Sequence, residues 1–210
     1  MSGGNPYQAP VGPYEPPTLD PSPGPTPSQT VGPYFAIGMT RDWPDGVNAV
    51  EPFHAGAIEV FGHLLDGRGE PIPDGVIEIW QCDPDGRFDH PDDPRGASVF
   101  EGFTGFARSP TDGEGRWSVR TLKPGRLPAA AGDGEQAPHI VVTVMARGLV
   151  RQLTTRLYFG DEAAANATDA VLQSLPPDAR ATLIADPIDE RGYRFDIVLQ
   201  GDGETAFFQL

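Results

Sequence analysis

Residues 137–148 read APHIVVTVMARG, and this stretch carries the pattern that decides the fold. Its centre, residues 141–144, is a run of β-branched side chains closed by Gly148, which is typical of a β-strand. Side chains of a strand alternate between two faces, so His139 and Val141 point to the same face. Metal-binding strands often present H-x-H on one face, whereas this strand presents H-x-V. The stretch therefore predicts a strand and raises the question of whether His139 is part of a metal site.

Similar short runs recur along the chain, separated by turns rich in glycine and proline. The 210 residues include 26 glycines and 24 prolines, which favours short strands over long helices. Short strands with turn signals between them predict an all-β fold, a β-sandwich of mostly antiparallel strands. The predicted strands are 57–65, 75–81, 117–122, 139–146, 151–159, 193–200 and 204–209.

The remaining segments divide the chain into an extension and one domain. Residues 1–25 are rich in proline and glycine, and we expect a flexible N-terminal extension there. Residues 26–35 mix polar and aromatic side chains and predict an arm that docks on another surface. Alanine and leucine dominate residues 161–185, which predicts one or two short helices. We expect one domain over residues 26–210, including the arm.

Charge and cysteine content exclude several classes of function. The formal net charge is −15, which argues against nucleic acid and against an anionic membrane surface as partners. A single cysteine, Cys82, permits no intramolecular disulfide and favours a reducing cytoplasm. The sequence shows neither a signal peptide nor a membrane-spanning apolar run, so we expect a cytoplasmic protein.

No motif in the chain forms a self-contained active site. The spacing of the histidines gives no reason to expect three converging metal ligands. Cys82 has no adjacent basic residue to activate it, and no G-x-S-x-G or phosphate-binding loop is present. Acidic pairs such as Asp92-Asp93 lie in turns, where solvated charge is expected. The four histidines are His54, His63, His90 and His139.

Arg147 is notable because it ends the 139–146 strand in a chain with few basic residues. An arginine at a strand end can bind a carboxylate through two hydrogen bonds. It can equally form an ion pair with one of the chain's own acids. Spacing alone favours the ion pair.

Six motifs together make the family recognisable over residues 26–210: TPSQTVGPYFAIGM, GVIEIWQCDPDGRF, TLKPG, APHIVV, LTTRLYF and GDGETAFF. In this order they resemble the α subunits of the protocatechuate 3,4-dioxygenases, which belong to the intradiol family. The resemblance implies a complex that uses O₂ to open the catechol ring of protocatechuate between its hydroxyl-bearing carbons. The product is 3-carboxy-cis,cis-muconate, and the reaction serves aromatic catabolism through the β-ketoadipate pathway. The catalytic β subunit of that family binds Fe³⁺ through two tyrosines and two histidines.

This chain departs from the family's iron-binding pattern at most positions. The tyrosine positions hold Phe88 and Leu127, and the histidine pair becomes His139 and Val141. Gln136 stands where the family has an arginine that stabilises the activated substrate. The resemblance therefore implies a degenerate site without iron or catalytic residues, in which His139 has a structural role. Iron would belong to a partner β subunit in an (αβ)n heteromer.

The resemblance also implies which residues of this chain reach the substrate. The arm would wall the substrate pocket of the partner, and Arg147 would bind the substrate carboxylate, which reverses the preference for an ion pair. Residues 161–185 would contribute to packing between subunits. The substrate-binding residues implied in this way are Thr30, Gly32, Pro33, Tyr34 and Arg147.

Two other functions remain open at this stage. The first is a stand-alone β-sandwich that binds aromatic acids or a protein without chemistry. Such a module has no need of the arm. The second is a self-sufficient metalloenzyme built on the remaining histidines and acids, which predicts stoichiometric metal in the isolated chain.

Overall fold

A computed structural model describes residues 26–32, 34–129 and 134–209. Over these residues strands dominate, and the helices are short. The strands are β1 (Ala57–Leu65), β2 (Val76–Trp80), β3 (Phe106–Pro110), β4 (Arg116–Leu122), β5 (Leu127–Pro128), β6 (Glu135–Gln136), β7 (His139–Met145), β8 (Leu153–Phe159), β9 (Ile184–Pro187), β10 (Gly192–Arg194) and β11 (Ile197–Val198). The helices are α1 (Tyr34–Thr40), α2 (Ala163–Asn166), α3 (Ala170–Ser174) and α4 (Pro177–Ala181), and one 3₁₀ turn covers Gly160–Glu162.

The strands form two packed layers that are continuous through β9. One layer runs β3-β2-β7-β8-β9, and the other contains β10, β1, β11 and β4. Strand β9 pairs in parallel with β8 and antiparallel with β10, so it belongs to both layers. Most pairs are antiparallel, with β1 also parallel to β10 and β11. The predicted β-sandwich of mostly antiparallel strands is confirmed, as one large mixed sheet that is nearly a barrel.

The core lies between the layers and is filled by alternate residues of each strand. In β1, Ile58, Val60 and Leu64 are buried, while Glu59 between them is exposed. In β7, Ile140 and Val142 are buried in the same way, and Val141 faces outward. This alternation has the period of two that buries one face of a sheet. The outward face of β7 therefore carries His139 and Val141, and Arg147 follows two residues beyond the end of the strand.

The open side of the sandwich is closed by residues 47–49. Val47 exchanges two backbone hydrogen bonds with Arg108 of β3, at 2.7 and 2.8 Å. Two residues later, the Ala49 N–H donates to the Arg120 carbonyl of β4 at 2.9 Å. The Asn48 side chain accepts the Arg120 N–H at 2.6 Å. This short segment thus covers the outer edges of both β3 and β4.

Two segments near the C-terminus differ from the predicted strands. The predicted strand 193–200 is divided into β10 and β11, and at the break the His63 N–H of β1 donates to the Asp196 side chain at 2.9 Å. The predicted strand 204–209 is reduced to a single bridge between Phe208 and Thr154 of β8. Strands β3, β5, β6 and β9 were not predicted.

Residues 161–185, for which one or two short helices were predicted, contain three, α2, α3 and α4, and the segment ends in strand β9. Helix α3 is capped at its N-terminus by Asp169, whose buried carboxylate accepts the N–H groups of Val171 and Leu172. Helix α4 has proline in its first turn, where a missing N–H costs nothing. In the arm, residues 26–32 are irregular and helix α1 follows from Tyr34. No helix within the described ranges has the length and apolar character to cross a bilayer.

Candidate functional site

Two glycines bring the loops after β2 and β4 into backbone contact. A Cβ atom at Gly125 would overlap the Pro84 carbonyl oxygen, and one at Gly86 would come within 2.5 Å of the Arg126 carbonyl oxygen. The Gly125 N–H also donates to the Asp83 carbonyl at 3.0 Å. These contacts explain the glycines of DPDG and KPG. They also bring together the loops that carry Phe88 and Leu127.

The loop that carries Phe88 is shaped by the buried carboxylate of Asp83. One oxygen of this carboxylate accepts the N–H groups of Asp85 and Arg87, both at 2.9 Å. The other oxygen accepts the Ser98 hydroxyl at 2.7 Å. Such side-chain bonds to the backbone two and four residues on fix a tight turn. Phe88 therefore has a defined position above the sheet.

Phe88 lies over a row of side chains on the outward face of the sheet. Trp80 of β2 is paired with Val141 of β7, which is paired in turn with Arg156 of β8. The ring of Phe88 stacks on Trp80, with centroids 6.0 Å apart and planes 10° from parallel. The structure thus brings Phe88 and Val141, two of the positions that the resemblance assigns to lost iron ligands, to one region of the sheet.

Leu127 and Gln136 face each other in the small β5–β6 ladder beside this region. The Gln136 side-chain oxygen accepts Arg156 Nη1 at 2.9 Å, and its amide donates to the Pro128 carbonyl at 2.8 Å. The side chain at the family's arginine position is therefore bound within the chain itself, and it connects β6 to the guanidinium group on β8.

His139 is buried and hydrogen-bonded. Its Nδ1 donates to the Ala137 carbonyl at 2.8 Å, and its ring packs on Tyr158 with centroids 5.5 Å apart. The Ala137 N–H donates in turn to the buried Asp169 carboxylate at 2.9 Å. Burial lowers the pKa of the His139 imidazole. These contacts support the structural role expected of His139.

Ferric iron does not fit the residues at this site. Phe88, Leu127 and Val141 offer only carbon atoms, which leaves His139 as a single nitrogen donor. Across the described part of the chain, no three His, Cys, Asp or Glu side chains come together as a metal-binding group. The nearby Cys82 is no alternative centre of chemistry, because burial raises the pKa of its thiol to about 11. The arrangement therefore supports packing and recognition.

The arm is attached to the fold at the turn that follows β7. The Thr30 hydroxyl accepts the Gly148 N–H at 2.8 Å, next to Arg147. Gly32 is exposed and its carbonyl accepts the Phe35 N–H at 3.1 Å, while 80% of the Tyr34 surface is accessible. Pro33, the other predicted arm residue, lies outside the described residues, as does the extension 1–25. Thr30, Gly32, Tyr34 and Arg147 thus lie on connected segments of one surface.

Arg147 forms a two-point ion pair with Asp74. Its Nη2 lies 2.7 Å from Asp74 Oδ2, and its Nε donates to Oδ1 at 3.2 Å. The pair forms because Met145 is opposite Val76 in the β2–β7 ladder, which places residues 147 and 74 across from each other. The Arg147 side chain remains 53% exposed. The ion pair favoured by spacing alone is present, and it leaves one edge of the guanidinium accessible.

Sequence reasoning missed three residues that shape the site: Asp74, Arg156 and Asp169. Asp74 has a positive φ of 56°, which Asp tolerates better than most residues, and its pairing with Arg147 depends on strand register. Asp169 precedes an alanine-rich helix, and this N-cap pattern was a usable signal. Arg156 lies within the LTTRLYF motif, but nothing in the motif indicates that it reaches Gln136.

Comparisons with known proteins identify the family. The model of a family described as "Dioxygenase" matches residues 30–201. A protocatechuate 3,4-dioxygenase alpha chain of Burkholderia cepacia is 44% identical over 200 residues, which cover 88% of this chain and 97% of that relative. The chain belongs to the intradiol dioxygenase family. Within it, an alpha chain of Pseudomonas putida is 41% identical over 88% of this chain and 96% of its own length. A beta chain of Burkholderia cepacia is 36% identical over 70% of this chain and 66% of its own.

Solved intradiol dioxygenases share the fold. Catechol 1,2-dioxygenase from Acinetobacter sp. ADP1 superposes with a TM-score of 0.56 at 21% identity, covering 75% of this chain and 58% of that one. The dioxygenase domain of a carbohydrate-binding fusion protein from Streptomyces sp. SirexAA-E gives a TM-score of 0.52 at 27% identity, over 87% of this chain and 100% of that one. These likenesses agree with the nearly barrel-like sandwich described above.

Proposed function

We propose that this chain is the α subunit of a protocatechuate 3,4-dioxygenase. In this proposal it binds no iron and completes the substrate pocket of a β subunit, which holds Fe³⁺ and catalyses intradiol cleavage of protocatechuate by O₂ to 3-carboxy-cis,cis-muconate. The observation that carries the proposal is the loss of donor atoms at Phe88, Leu127 and Val141 in a chain whose fold is otherwise retained. The location is cytoplasmic, in agreement with the free thiol of Cys82.

The arm and Arg147 provide the groups that a substrate pocket needs. The Thr30–Gly148 hydrogen bond attaches the arm, with its exposed Gly32 and Tyr34, to the turn that contains Arg147. Tyr34 offers an apolar ring and a hydroxyl to a planar substrate. Arg147 has five N–H donors, of which Asp74 accepts two, so the others can bind a substrate carboxylate. We assign these residues, together with Pro33, to substrate binding.

The experiment that tests the proposal measures iron and visible absorbance in the chain alone and after co-expression with a β chain. A tyrosinate–Fe³⁺ centre is coloured by charge transfer. We expect the chain alone to be colourless and free of iron, and the complex to be coloured and to consume O₂ when protocatechuate is added. Iron with activity in the isolated chain would overturn the proposal. A chain that binds protocatechuate but never associates with a β chain would instead support the stand-alone binding module.

A further inference from the structure

A concave patch on the outer face of the second layer combines projecting apolar side chains with a cavity. The cavity has a volume of about 480 Å³ and lies where β1 begins, beside β4 and the turn that joins β9 to β10. Two large apolar side chains in its lining are exposed, Phe53 over 99% and Ile188 over 58% of the surface. We name this feature the β1 patch and define it by Phe53, Glu59, Arg120, Ile188, Asp189 and Arg191.

The turn that presents Ile188 is fixed by hydrogen bonds. The Ile188 N–H donates to the Gly192 carbonyl at 2.8 Å. The Asp189 carboxylate accepts the N–H groups of Arg191 and Gly192 at 2.8 and 2.7 Å. Exposed apolar side chains on such a fixed backbone suit an interaction surface, because little conformational entropy is lost when they bind.

The charged side chains of the β1 patch are two cations and two anions. Arg120 of β4 lies opposite Glu59 in the β1–β4 ladder, and Asp189 and Arg191 belong to the turn between β9 and β10. Within the ranges that the structure describes, none of these four side chains forms an ion pair. The patch therefore has no net charge of its own, and its charges are available to another molecule.

This charge pattern favours a second copy of the chain as the occupant of the β1 patch. The whole chain has a formal net charge of −15, so two copies repel each other over most of their surfaces. A two-fold interface brings the same surface of both copies together and must be complementary to itself. When the axis runs between β1 and β4 in the plane of the interface, Glu59 of each copy lies against Arg120 of the other. A strongly charged partner gains no such match from a neutral patch.

The apolar part of the β1 patch is complementary to itself in the same way. Phe53 projects from the surface beside a cavity that is large enough to accept an aromatic ring. Aromatic and arginine side chains are also the residue types that contribute most to the binding energy of protein interfaces. The patch thus offers both a projecting ring and a cavity to a second copy.

We infer that two copies of this chain associate through the β1 patch about a two-fold axis. Phe53 of each copy occupies the cavity of the other, and Arg120 of each copy pairs with Glu59 of the other. The inference does not depend on iron, on substrate or on the proposed assembly with a β subunit. The arm is attached at the end of β7 in the first layer, whereas the β1 patch lies on the second.

Sedimentation equilibrium of the full-length chain over a range of concentrations tests the inference. The mass of one chain is 22.5 kDa, and we expect twice that mass at the highest concentrations. Phe53→Ala should raise the dissociation constant about a hundredfold, because the two-fold axis removes two rings at about 1.4 kcal/mol, or tenfold, each. Val99→Ala is the control, since Val99 is 65% exposed and lies outside the patch. A chain that is monomeric throughout, or a dimer that both substitutions leave equally stable, would overturn the inference.

A charge exchange between two variants tests the contact without removing an apolar side chain. Arg120→Glu and Glu59→Lys should each be monomeric, because like charges then face each other across the axis. An equimolar mixture of the two variants should form a dimer with one chain of each kind, since the facing charges are again opposite. Association in the mixture also shows that both variants are folded. Dimers of either variant alone, or a mixture that stays monomeric, would contradict association through this patch.

Discussion

Arg147 and Asp74 face each other across the β2–β7 ladder and share two contacts, Nη2 to Oδ2 at 2.7 Å and Nε to Oδ1 at 3.2 Å. A carboxylate held in this way fixes the plane of the guanidinium and still leaves three of its N–H donors for another anion. An internal ion pair and a substrate contact at Arg147 are therefore compatible.

Arg147→Ala should weaken binding of protocatechuate to the complex by about 1.5–3 kcal/mol, because a charge-assisted hydrogen bond is lost. Substrates without the carboxylate should lose less, and the KM of each measured by O₂ consumption makes the comparison. Asp74→Asn breaks the ion pair but keeps the arginine, so its effect should be smaller. Arg116→Ala is the matched control, since Arg116 is also exposed and paired with an acid, Glu114. Equal losses for both substrate types would contradict the role in carboxylate binding.

Neither Leu127→Tyr nor Val141→His alone should restore iron binding. Each adds one of the three missing ligands, and the carbon side chains at the other positions stay in place. Metal analysis of each purified variant, with a β chain purified in parallel as the positive control, measures this. Iron approaching one atom per chain in either single variant would mean that the ligand positions are wrongly assigned.

Gly125→Ala should destabilise the chain by about 1–3 kcal/mol, because the added methyl group would overlap the Pro84 carbonyl and force the two loops apart. Denaturant unfolding monitored by fluorescence gives the difference. Gly113→Ala is the control, since no atom lies within 4 Å of the Cβ position there. A Gly125 variant as stable as the control would show that the loop contact contributes nothing.

The stability of the chain should fall as the pH drops below the ordinary histidine pKa of 6.5, and His139 should contribute to this fall. Its folded-state pKa is lowered, so below pH 6.5 the unfolded chain takes up a proton before the folded chain does. The contribution is present above pH 6.5 and is lost as the pH falls through the folded-state pKa. Unfolding free energies between pH 7 and 5 should therefore decrease less in His139→Gln than in the unsubstituted chain. Identical slopes in the variant and in the unsubstituted chain would exclude His139.

The strands that could be predicted are those that can be identified from the pattern of their own residues. The β-branched run of β7 is an example, since it needs no knowledge of its neighbours. Strand β3 was missed because its sequence, FARSP, contains no β-branched residue and ends in proline, and it is a strand through its pairing with β2 and Val47. The break between β10 and β11 coincides with the hydrogen bond from the His63 N–H to the Asp196 side chain, a contact between residues that are 133 positions apart in the chain.

Prediction of the candidate site from the sequence is limited in the same way. Resemblance to the family assigned Phe88, Leu127, His139 and Val141 to one degenerate site, but it gave no reason for the contacts between their loops. That reason is steric and lies in Gly86 and Gly125, whose missing side chains allow the backbones to touch. Asp74 was missed because a strand pairing, and not sequence proximity, brings it to Arg147.

Residues 47–49, which close the sandwich, also affect how the chain behaves before it associates with a partner. Exposed strand edges recruit strands of other molecules and lead to aggregation. Here the edge of β3 is occupied by Val47, and Ala49 and Asn48 bond to Arg120 on the edge of β4. In a newly made chain these two edges are therefore already protected before assembly with a partner.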